Sequence, residues 1–321
     1  MRAKLPLLMA ITGALAVFFI SWFHQNQTVQ DYARGITQSP INVLDSTNSR
    51  TNIALLGIGG QGHEGGELTD SILVASVSHD TKQITLISIP RDIYLTSYRA
   101  KINSIYYYGE KAESGTGLKK LKTALTEVTG LPIHYSLLID FSGFIKAIDA
   151  VGGISVNVER TFDDYKYPIP GLENAEPESS RYEHLHFEAG PQHMDGVTAL
   201  KYVRSRHALG DEGTDFARSK RQQKVIRAFI ASLVSRNTVF NSERITTLKL
   251  ALSDSIKTDI NESEVSSFTK LGLSLNFDEI KSVTIESMLY NPKNLATYGG
   301  AWVLIPIENW AKINDYVSEN L

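Results

Sequence analysis

An apolar run close to the amino terminus is the feature that most constrains this chain. Residues 5–23 carry no charged side chain, and Arg2 and Lys4 precede them. A helix needs about 20 apolar residues to cross a bilayer, and positive charges usually remain on its cytoplasmic side. We therefore predict one transmembrane signal anchor in residues 1–24, with a cytoplasmic amino terminus and the rest of the chain outside the cell membrane.

A cleaved signal peptide is the alternative interpretation of the same run. Signal peptides end in small residues at the cleavage site, whereas Trp22, Phe23 and His24 stand at that position here. These bulky side chains favour an uncleaved anchor.

Composition limits what the rest of the chain can be. The 321 residues include no cysteine, which excludes disulfide bonds and thiolate metal sites, so stability must come from a hydrophobic core. The formal net charge is only -3, which provides no overall attraction to nucleic acid. We therefore expect no nucleic-acid partner, and any anion must be bound by a local cluster of cations.

The order of predicted elements indicates an α/β protein. Residues 25–50 are polar and predict a flexible linker, and residues 51–321 predict one extracytoplasmic domain. Strand and helix patterns alternate in it, which predicts a central mixed β-sheet flanked by helices in a three-layer, α/β/α-like arrangement. Residues 161–181 lack periodicity and predict a long surface excursion. The predicted strands are 52–58, 71–78, 84–89, 135–141 and 154–158, and the predicted helices are 118–128, 144–150, 195–204 and 215–236.

The last of these helices combines cationic and apolar residues on one face. Arg221, Gln222, Val225 and Phe229 all lie within about 60° of Arg218 on a helical wheel. A buried guanidinium without a counter-charge costs several kcal/mol. The face therefore predicts a bound anion, with two alternatives: pairing with internal carboxylates, or a helix start that remains in water.

Further arginines lie at the ends of predicted elements. Arg204 and Arg206 end the preceding helix, and Arg91 follows a strand. Guanidinium groups present a planar fork to phosphate oxygens, and a helix start adds free N–H groups. Several arginines with a helix terminus suit a pyrophosphate better than a single carboxylate, so we expect them to converge on one pocket.

An ordered set of short motifs carries a family resemblance. Together they resemble the LytR-CpsA-Psr family over residues 52–236, and more loosely to the end of the chain. The resemblance implies an α/β fold and transfer of teichoic acid, capsule or a similar glycan from a polyprenyl-pyrophosphate donor to a peptidoglycan acceptor. The motifs are Thr69-Asp70-Ser71, Ser88-Ile89-Pro90-Arg91-Asp92, Lys101-Ile102-Asn103, Asp140-Phe141-Ser142-Gly143-Phe144, Asp149-Ala150-Val151-Gly152-Gly153, Tyr202-Val203-Arg204-Ser205-Arg206 and Asp215-Phe216-Ala217-Arg218-Ser219-Lys220-Arg221-Gln222-Gln223.

The resemblance also implies roles for individual residues. Asp70 resembles a carboxylate that binds Mg²⁺, or Mn²⁺, on the pyrophosphate. The residues implied to be catalytic are Arg91, Asp70, Arg204, Arg206 and Arg218, and those implied to bind substrate are Arg221, Gln222, Lys101, Asn103 and Asp92. Arginines and a divalent cation neutralise charge on the leaving lipid phosphate, and a carboxylate near the acceptor hydroxyl can act as general base.

Two positions depart from the family pattern. Gly59 and Leu68 stand where members commonly carry an Asp and an Arg. With Gly59 in place of the Asp, Asp70 alone leaves much of the coordination shell of Mg²⁺ to water and phosphate. His63 or Glu64 could compensate, or both could be ordinary loop residues. Two other functions stay open: a pyrophosphatase acting on the same donor, and a non-catalytic protein that binds glycolipid or regulates the envelope.

Overall fold

The structure is a computed structural model that describes residues 44–60, 65–169, 171–172, 174–233, 235, 244, 247–248, 250, 255–275 and 280–321. No helix in these ranges is long and apolar enough to cross a bilayer. The predicted anchor in residues 1–24 lies outside them, as do most of the predicted linker, His63 and Glu64. The anchor therefore stays a prediction.

Strands and helices alternate along the described residues. The strands are β1 (Arg50–Ile58), β2 (Thr69–Ser78), β3 (Ile84–Ser88), β4 (Tyr94–Leu95), β5 (Ala100–Lys101), β6 (Tyr135–Asp140), β7 (Ile154–Val158), β8 (Phe162–Pro168), β9 (Tyr182–Phe187), β10 (Gly190–Met194), β11 (Ile256–Thr258), β12 (Lys281–Thr284), β13 (Leu289–Tyr290) and β14 (Ile305–Pro306). The α-helices are α1 (Ile102–Ala112), α2 (Gly117–Thr129), α3 (Phe141–Ala150), α4 (Gly196–Arg204), α5 (Asp215–Leu233), α6 (Val265–Ser274) and α7 (Trp310–Glu319).

The chain divides into two compact units. The sheet unit comprises Ile41–Asp140, Ile256–Glu264 and Leu275–Leu321, and the hairpin unit includes Phe141–Ser255 and Val265–Ser274. The predicted boundaries at residues 24 and 50, one domain over residues 51–321 and the three-layer arrangement all stay predictions.

The sheet unit is built on a mixed β-sheet. Its strand order among the described residues is β11-β6-β1-β2-β3-β12. The pairs β1–β2, β2–β3 and β6–β11 are antiparallel, whereas β1–β6 and β3–β12 are parallel. Apolar side chains of β2 and β3 are buried on both faces, which explains their nearly continuous apolar sequence. The predicted mixed α/β fold and the predicted hairpin of β2 and β3 are confirmed.

Three helices share a hydrophobic core with this sheet. Ala54 and Leu56 of β1 point into the core, together with apolar residues of α1, α2 and α7. In α2 the residues Leu121, Leu125 and Val128 recur at helical spacing and are fully buried. The periodicity that predicts this helix therefore identifies its core face.

Gly130 ends α2 in a left-handed conformation, with φ of 72°. A Cβ atom there would lie 2.7 Å from the Cβ of Asn314 in α7. We expect Gly130→Ala to lower the free energy of unfolding by about 1–2 kcal/mol from backbone strain alone, with an additional cost from this contact. Denaturant unfolding measures the change.

Gly115→Ala is the matched control for that variant. Gly115 also has a positive φ, of 83°, but a Cβ there would have no atom within 4 Å. We expect Gly115→Ala to show the backbone strain without the steric cost. Equal destabilisation by the two variants would contradict a packing role for Gly130.

The hairpin unit contains a strand, β8, that the sequence pattern does not predict. β8 pairs with β9, so part of the predicted excursion at residues 161–181 is a strand instead of a loop. Phe162, Asp164 and Tyr167 are its buried residues. Because one of these is charged and the register shifts between Asp164 and Tyr167, the alternating pattern that predicts strands is interrupted.

Three elements of the hairpin unit follow the predictions closely. The strand β7 has the predicted bounds, and it pairs with β10. The helix α4 begins after Asp195, whose side chain accepts a hydrogen bond from the Thr198 N–H at 2.7 Å, as expected of an N-cap residue. The helix α5 begins at Asp215 as predicted and ends at Leu233.

Candidate functional site

A local irregularity between β1 and β2 positions Asp70. Gly57 pairs with Ser71 and Ile58 pairs with Thr69, so Asp70 is the extra residue of a β-bulge. Bulges bend a strand and redirect side chains, often next to active sites. The Asp70 carboxylate is 38% exposed, and its Oδ1 lies 2.7 Å from Nη1 of Arg91.

Arg91 lies between two carboxylates. Besides the contact with Asp70, its Nε lies 3.5 Å from Oδ2 of Asp92. This Nε is buried and has no hydrogen-bond partner among the described residues. The side chain as a whole is 28% exposed, so Arg91 remains partly accessible to a ligand.

Lys101 and Asn103 complete the same group of side chains. Nζ of Lys101 lies 2.8 Å from Oδ1 of Asp92. Nδ2 of the buried Asn103 lies 3.4 Å from Oδ1 of Asp70, and the Asn103 N–H donates to the Arg91 carbonyl at 3.3 Å. Five of the predicted site residues therefore lie together, and we call them the acid–base network: Asp70, Arg91, Asp92, Lys101 and Asn103.

The charges of this network balance. Asp70 and Asp92 oppose Arg91 and Lys101, so the formal charges cancel. A phosphate that binds Arg91 must compete with the carboxylate of Asp70. A cation on Asp70 would reduce that competition, because it would neutralise the carboxylate that holds the guanidinium. Phosphate and cation binding at these two residues are therefore expected to favour each other.

Asp70 can bind a cation whose other ligands are mostly substrate phosphates and water. Its contacts among the described residues both use Oδ1. No three His, Cys, Asp or Glu side chains in the described ranges are arranged to hold a metal ion. Mg²⁺ commonly binds one or two carboxylates together with substrate phosphates and water. The residues present thus suit a Mg²⁺ bound by Asp70 and donor phosphates, and they do not form an all-protein cage.

Asp140 is a neighbouring carboxylate that the sequence reasoning did not select. It ends β6 and pairs with Ile58 of β1, whereas Asp70 lies on the other side of β1, in the bulge of β2 opposite Gly57 and Ile58. A Cβ atom at Gly60 would lie 3.1 Å from the Asp140 Cβ. Parallel strands bring their carboxyl ends to one edge of a sheet, and this rule is the signal that could have identified it.

Arg204 in the hairpin unit is held by aromatic side chains. It is the last residue of α4, and its Cζ lies 4.3 Å from the ring centroid of Phe141 and 5.5 Å from that of Tyr167. Its Nη1 donates to the Tyr167 hydroxyl at 3.2 Å, and burial raises the pKa of that tyrosine. These contacts hold the guanidinium against the two rings, and Arg204 stays half-buried.

Arg206, Arg218 and Gln222 are half-buried. The Arg206 N–H donates to a carboxylate oxygen of Asp164 at 3.2 Å, and the Arg218 N–H donates to the Thr214 carbonyl at 3.1 Å in the first turn of α5. The predicted roles of these three side chains in substrate binding stay predictions.

Arg221 has a different environment from the one that the resemblance implies. It is 2% exposed, and its Nη1 lies 2.8 Å from Oε2 of Glu212. Its Nε donates to the Tyr202 carbonyl at 3.0 Å, and its Nη2 donates to the Ser205 carbonyl at 2.6 Å. The structure favours the alternative in which this arginine pairs with an internal carboxylate. These donors are engaged within the chain, and the predicted direct contact between Arg221 and the substrate stays a prediction.

The helical wheel of α5 agrees with the structure in part. Val225 is buried along with Arg221, and Lys220 and Arg227 on the other side are exposed, but Gln223 is buried although it lies off the predicted face. The predicted meeting of Arg91 with Arg204, Arg206 and Arg218 involves residues of both units and stays a prediction.

Comparisons with known proteins agree with the resemblance seen in the sequence. A polyisoprenyl-teichoic acid–peptidoglycan teichoic acid transferase, TagU of Enterococcus faecalis, is 27% identical over 291 residues, which are 86% of this chain and 81% of that protein. TagV of Bacillus subtilis, named in the same way, is 27% identical over 78% of this chain and 61% of its own length. The regulatory protein MsrR of Staphylococcus aureus is 28% identical over 84% of this chain and 75% of its own length.

Solved structures show the same fold. The crystal structure of Bacillus subtilis TagV has a TM-score of 0.59 at 23% identity, covering 86% of this chain and 98% of that one. A structure described as TagT bound to LIIa-WTA has a TM-score of 0.59 at 18% identity, covering 88% of this chain and 96% of that one. The model of the LytR_cpsA_psr family matches residues 18–313, and the chain therefore belongs to the LytR_cpsA_psr family.

Proposed function

We propose that this protein transfers a phosphoglycan from a polyprenyl-pyrophosphate carrier to peptidoglycan or another envelope acceptor. The glycan is a teichoic-acid-like, capsular or other secondary wall polymer. The observation that carries the proposal is the acid–base network, in which a partly exposed Arg91 lies beside Asp70 and Asp92. Family membership supports it, as does the similarity to the teichoic acid transferases TagU and TagV.

The proposed reaction exchanges a phosphoanhydride linkage for a phosphodiester linkage. The acceptor hydroxyl oxygen forms a bond to the phosphorus that carries the glycan, and the bridging P–O bond of the pyrophosphate breaks. The lipid phosphate leaves with the electron pair of that bond. Negative charge therefore grows on the leaving phosphate, and cationic side chains accelerate the step by neutralising it.

The residues divide between these tasks. Arg91, Arg204, Arg206 and Arg218 bind phosphate oxygens of the donor. Asp92 accepts the proton of the acceptor hydroxyl, since it is the second carboxylate of the acid–base network and contacts Arg91 and Lys101. A base must lie within hydrogen-bond reach of the proton that it removes.

Asp70 is the proposed protein ligand of Mg²⁺ or Mn²⁺. When bound, the cation supplies positive charge to the phosphate oxygens. Asp70 has a second task in this proposal, because its Oδ1 also orients Arg91 at 2.7 Å and contacts Asn103 at 3.4 Å. The cation and the guanidinium then share one carboxylate.

A transfer assay distinguishes this function from its two alternatives. Full-length protein in detergent is incubated with a labelled polyprenyl-pyrophosphate-linked glycan, with and without peptidoglycan. We expect label on peptidoglycan only when the acceptor is present, together with release of lipid phosphate. Equal release of soluble glycan in both incubations would support a pyrophosphatase, and unchanged donor in both would support a binding or regulatory protein.

The membrane anchor is a further part of the proposal. The uncharged run at residues 5–23, preceded by Arg2 and Lys4, suits a single-pass protein at the cell membrane with its other residues outside. We expect the full-length protein to resist alkaline extraction from membranes, and protease added outside the cells to digest residues beyond 50. Extraction of the full-length protein into the soluble fraction would contradict the anchor.

A further inference from the structure

Asp164 is a buried carboxylate to which the proposed reaction assigns no task. It lies on β8 and has no exposed surface. Its Oδ2 accepts hydrogen bonds from the Ser205 hydroxyl at 2.7 Å and from the N–H groups of Arg206 and His207, each at 3.2 Å. Its Oδ1 accepts from the Lys166 N–H at 2.9 Å. A buried carboxylate is costly unless it is hydrogen-bonded, and this one is saturated mainly by a single short segment.

That segment, residues 202–207, is called here the arginine turn, because it contains Arg204 and Arg206. Arg221 contacts the carbonyl groups of the same turn, whereas Asp164 contacts its N–H groups. Its guanidinium donates to the carbonyls of Tyr202 and Ser205 and is neutralised by Glu212. A cation at these carbonyls is also favourable because they close the C-terminal end of α4.

Together the two charged residues satisfy both kinds of peptide group in the turn. Asp164 binds N–H groups, and Arg221 binds carbonyls. An antiparallel main-chain bridge between Asp164 and Ala208 also attaches the residue that follows the turn to β8. A segment that only connects two helices at the surface needs no charged residues of this kind, because water can satisfy its peptide groups. The presence of both Asp164 and Arg221 therefore requires another explanation.

We propose that Asp164 and Arg221 are positioning residues that hold the arginine turn so that Arg204 and Arg206 present their guanidinium groups to the pyrophosphate of the donor. The inference rests on the proposed function for its substrate. Binding sites reach high affinity when the residues that support them fix the geometry of the contacting groups in advance. Neither positioning residue contacts the donor in this account.

The test compares Asp164→Asn and Asp164→Ala with wild type in the full-length protein. Asparagine keeps the shape but replaces one acceptor oxygen with a donor, and alanine leaves the Arg206 and His207 N–H groups without their carboxylate. We expect the donor KM of Asp164→Ala to rise about ten-fold or more, the effect of losing a charge-assisted hydrogen bond. Asp164→Asn should show a smaller rise, and the acceptor KM should remain unchanged in both.

Hydrogen exchange at the Arg206 and His207 amides provides a readout that does not depend on activity. These amides should exchange faster in Asp164→Ala than in wild type, whereas amides of β1 should not change. Asp163→Ala is the matched control, because its carboxylate points away from the turn and contacts His184 and His186 at 2.7 and 2.8 Å. That control should retain wild-type exchange and KM.

Three outcomes would overturn the inference. Faster exchange with an unchanged donor KM would make Asp164 structural only, and unchanged exchange would show that it does not hold the turn. An equal rise in donor and acceptor KM would indicate general damage.

If Asp164→Ala does not fold, Asp164→Asn and Arg221→Lys decide, since both should raise the donor KM. Failure of the proposed function is separate, since wild type would then transfer no glycan while the exchange result still stands.

Discussion

Replacing Arg91 with alanine is expected to reduce transfer of the glycan to peptidoglycan by about 100- to 1,000-fold, the range found when a group that stabilises transition-state charge is removed. The side chain is the central cation of the acid–base network, with Asp70 at 2.7 Å and Asp92 at 3.5 Å. Its loss removes a positive charge from the phosphates and leaves two carboxylates facing the anionic donor. Initial rates with labelled donor and excess peptidoglycan measure the effect.

Two further variants separate charge from geometry and from fold. Arg91→Lys keeps the charge but loses the planar fork, so we expect an activity between those of wild type and Arg91→Ala. Arg99→Ala changes an exposed arginine of the same unit and should retain wild-type activity. Thermal unfolding should be similar for all three, because Arg91 is partly exposed. Normal turnover by a folded Arg91→Ala protein would refute the assignment of Arg91.

Replacing Asp70 with asparagine is expected to reduce the transfer rate by about 100-fold and to raise the concentration of Mg²⁺ needed for half-maximal rate. Asparagine keeps the size of the side chain and one oxygen, but it removes the charge that attracts the cation and orients Arg91. Ligand substitutions at metal sites commonly cost about 10- to 100-fold in metal affinity or activity. Rates measured over a series of Mg²⁺ concentrations give both quantities.

The two tasks of Asp70 can be distinguished. If it binds the cation, excess Mg²⁺ should partly restore the rate of Asp70→Asn, and electron paramagnetic resonance should show weaker binding of Mn²⁺ in the presence of donor. Asp80→Asn changes an exposed carboxylate in the turn between β2 and β3 and should resemble wild type. A slow Asp70→Asn protein with unchanged Mn²⁺ affinity would assign Asp70 to Arg91 alone.

Several features of the fold could be predicted because local physics and packing favour the same structure. The apolar, β-branched residues of β2 and β3 fit strands buried on both faces. Leu121, Leu125 and Val128 mark the buried face of α2, and Gly130 marks its end. In the site, Asp70, Arg91 and the other members of the acid–base network came from the family motifs, and the structure places these five together.

Other features depend on partners that a sequence does not reveal. The charged Asp164 is buried because the arginine turn supplies its hydrogen bonds, so the strand β8 lacks an apolar pattern. The helix α1 begins after β5 and carries Tyr106, Tyr107 and Tyr108, and tyrosine favours strands over helices. Nothing in its own helix shows whether Arg221 faces a ligand or an internal acid.

The case of Arg221 also shows how a correct pattern can support two functions. The helical wheel placed it on the buried face of α5, and the structure confirms that position. Glu212, in the short turn before α5, provides the counter-charge at 2.8 Å. From this buried position Arg221 can act on the reaction indirectly, by holding the arginine turn. Arg204 and Arg206 are the residues proposed to contact the pyrophosphate directly.

Binding of a soluble, short-chain polyprenyl pyrophosphate shows whether arginines of this chain recognise the donor pyrophosphate. Titration calorimetry with wild type, Arg91→Ala and Arg99→Ala in the presence of Mg²⁺ gives the dissociation constants. We expect wild type and Arg99→Ala to bind equally and Arg91→Ala to bind at least about ten-fold more weakly, which corresponds to about 1.4 kcal/mol. Equal affinity of all three proteins, or no binding by wild type, would contradict recognition of the donor pyrophosphate by Arg91.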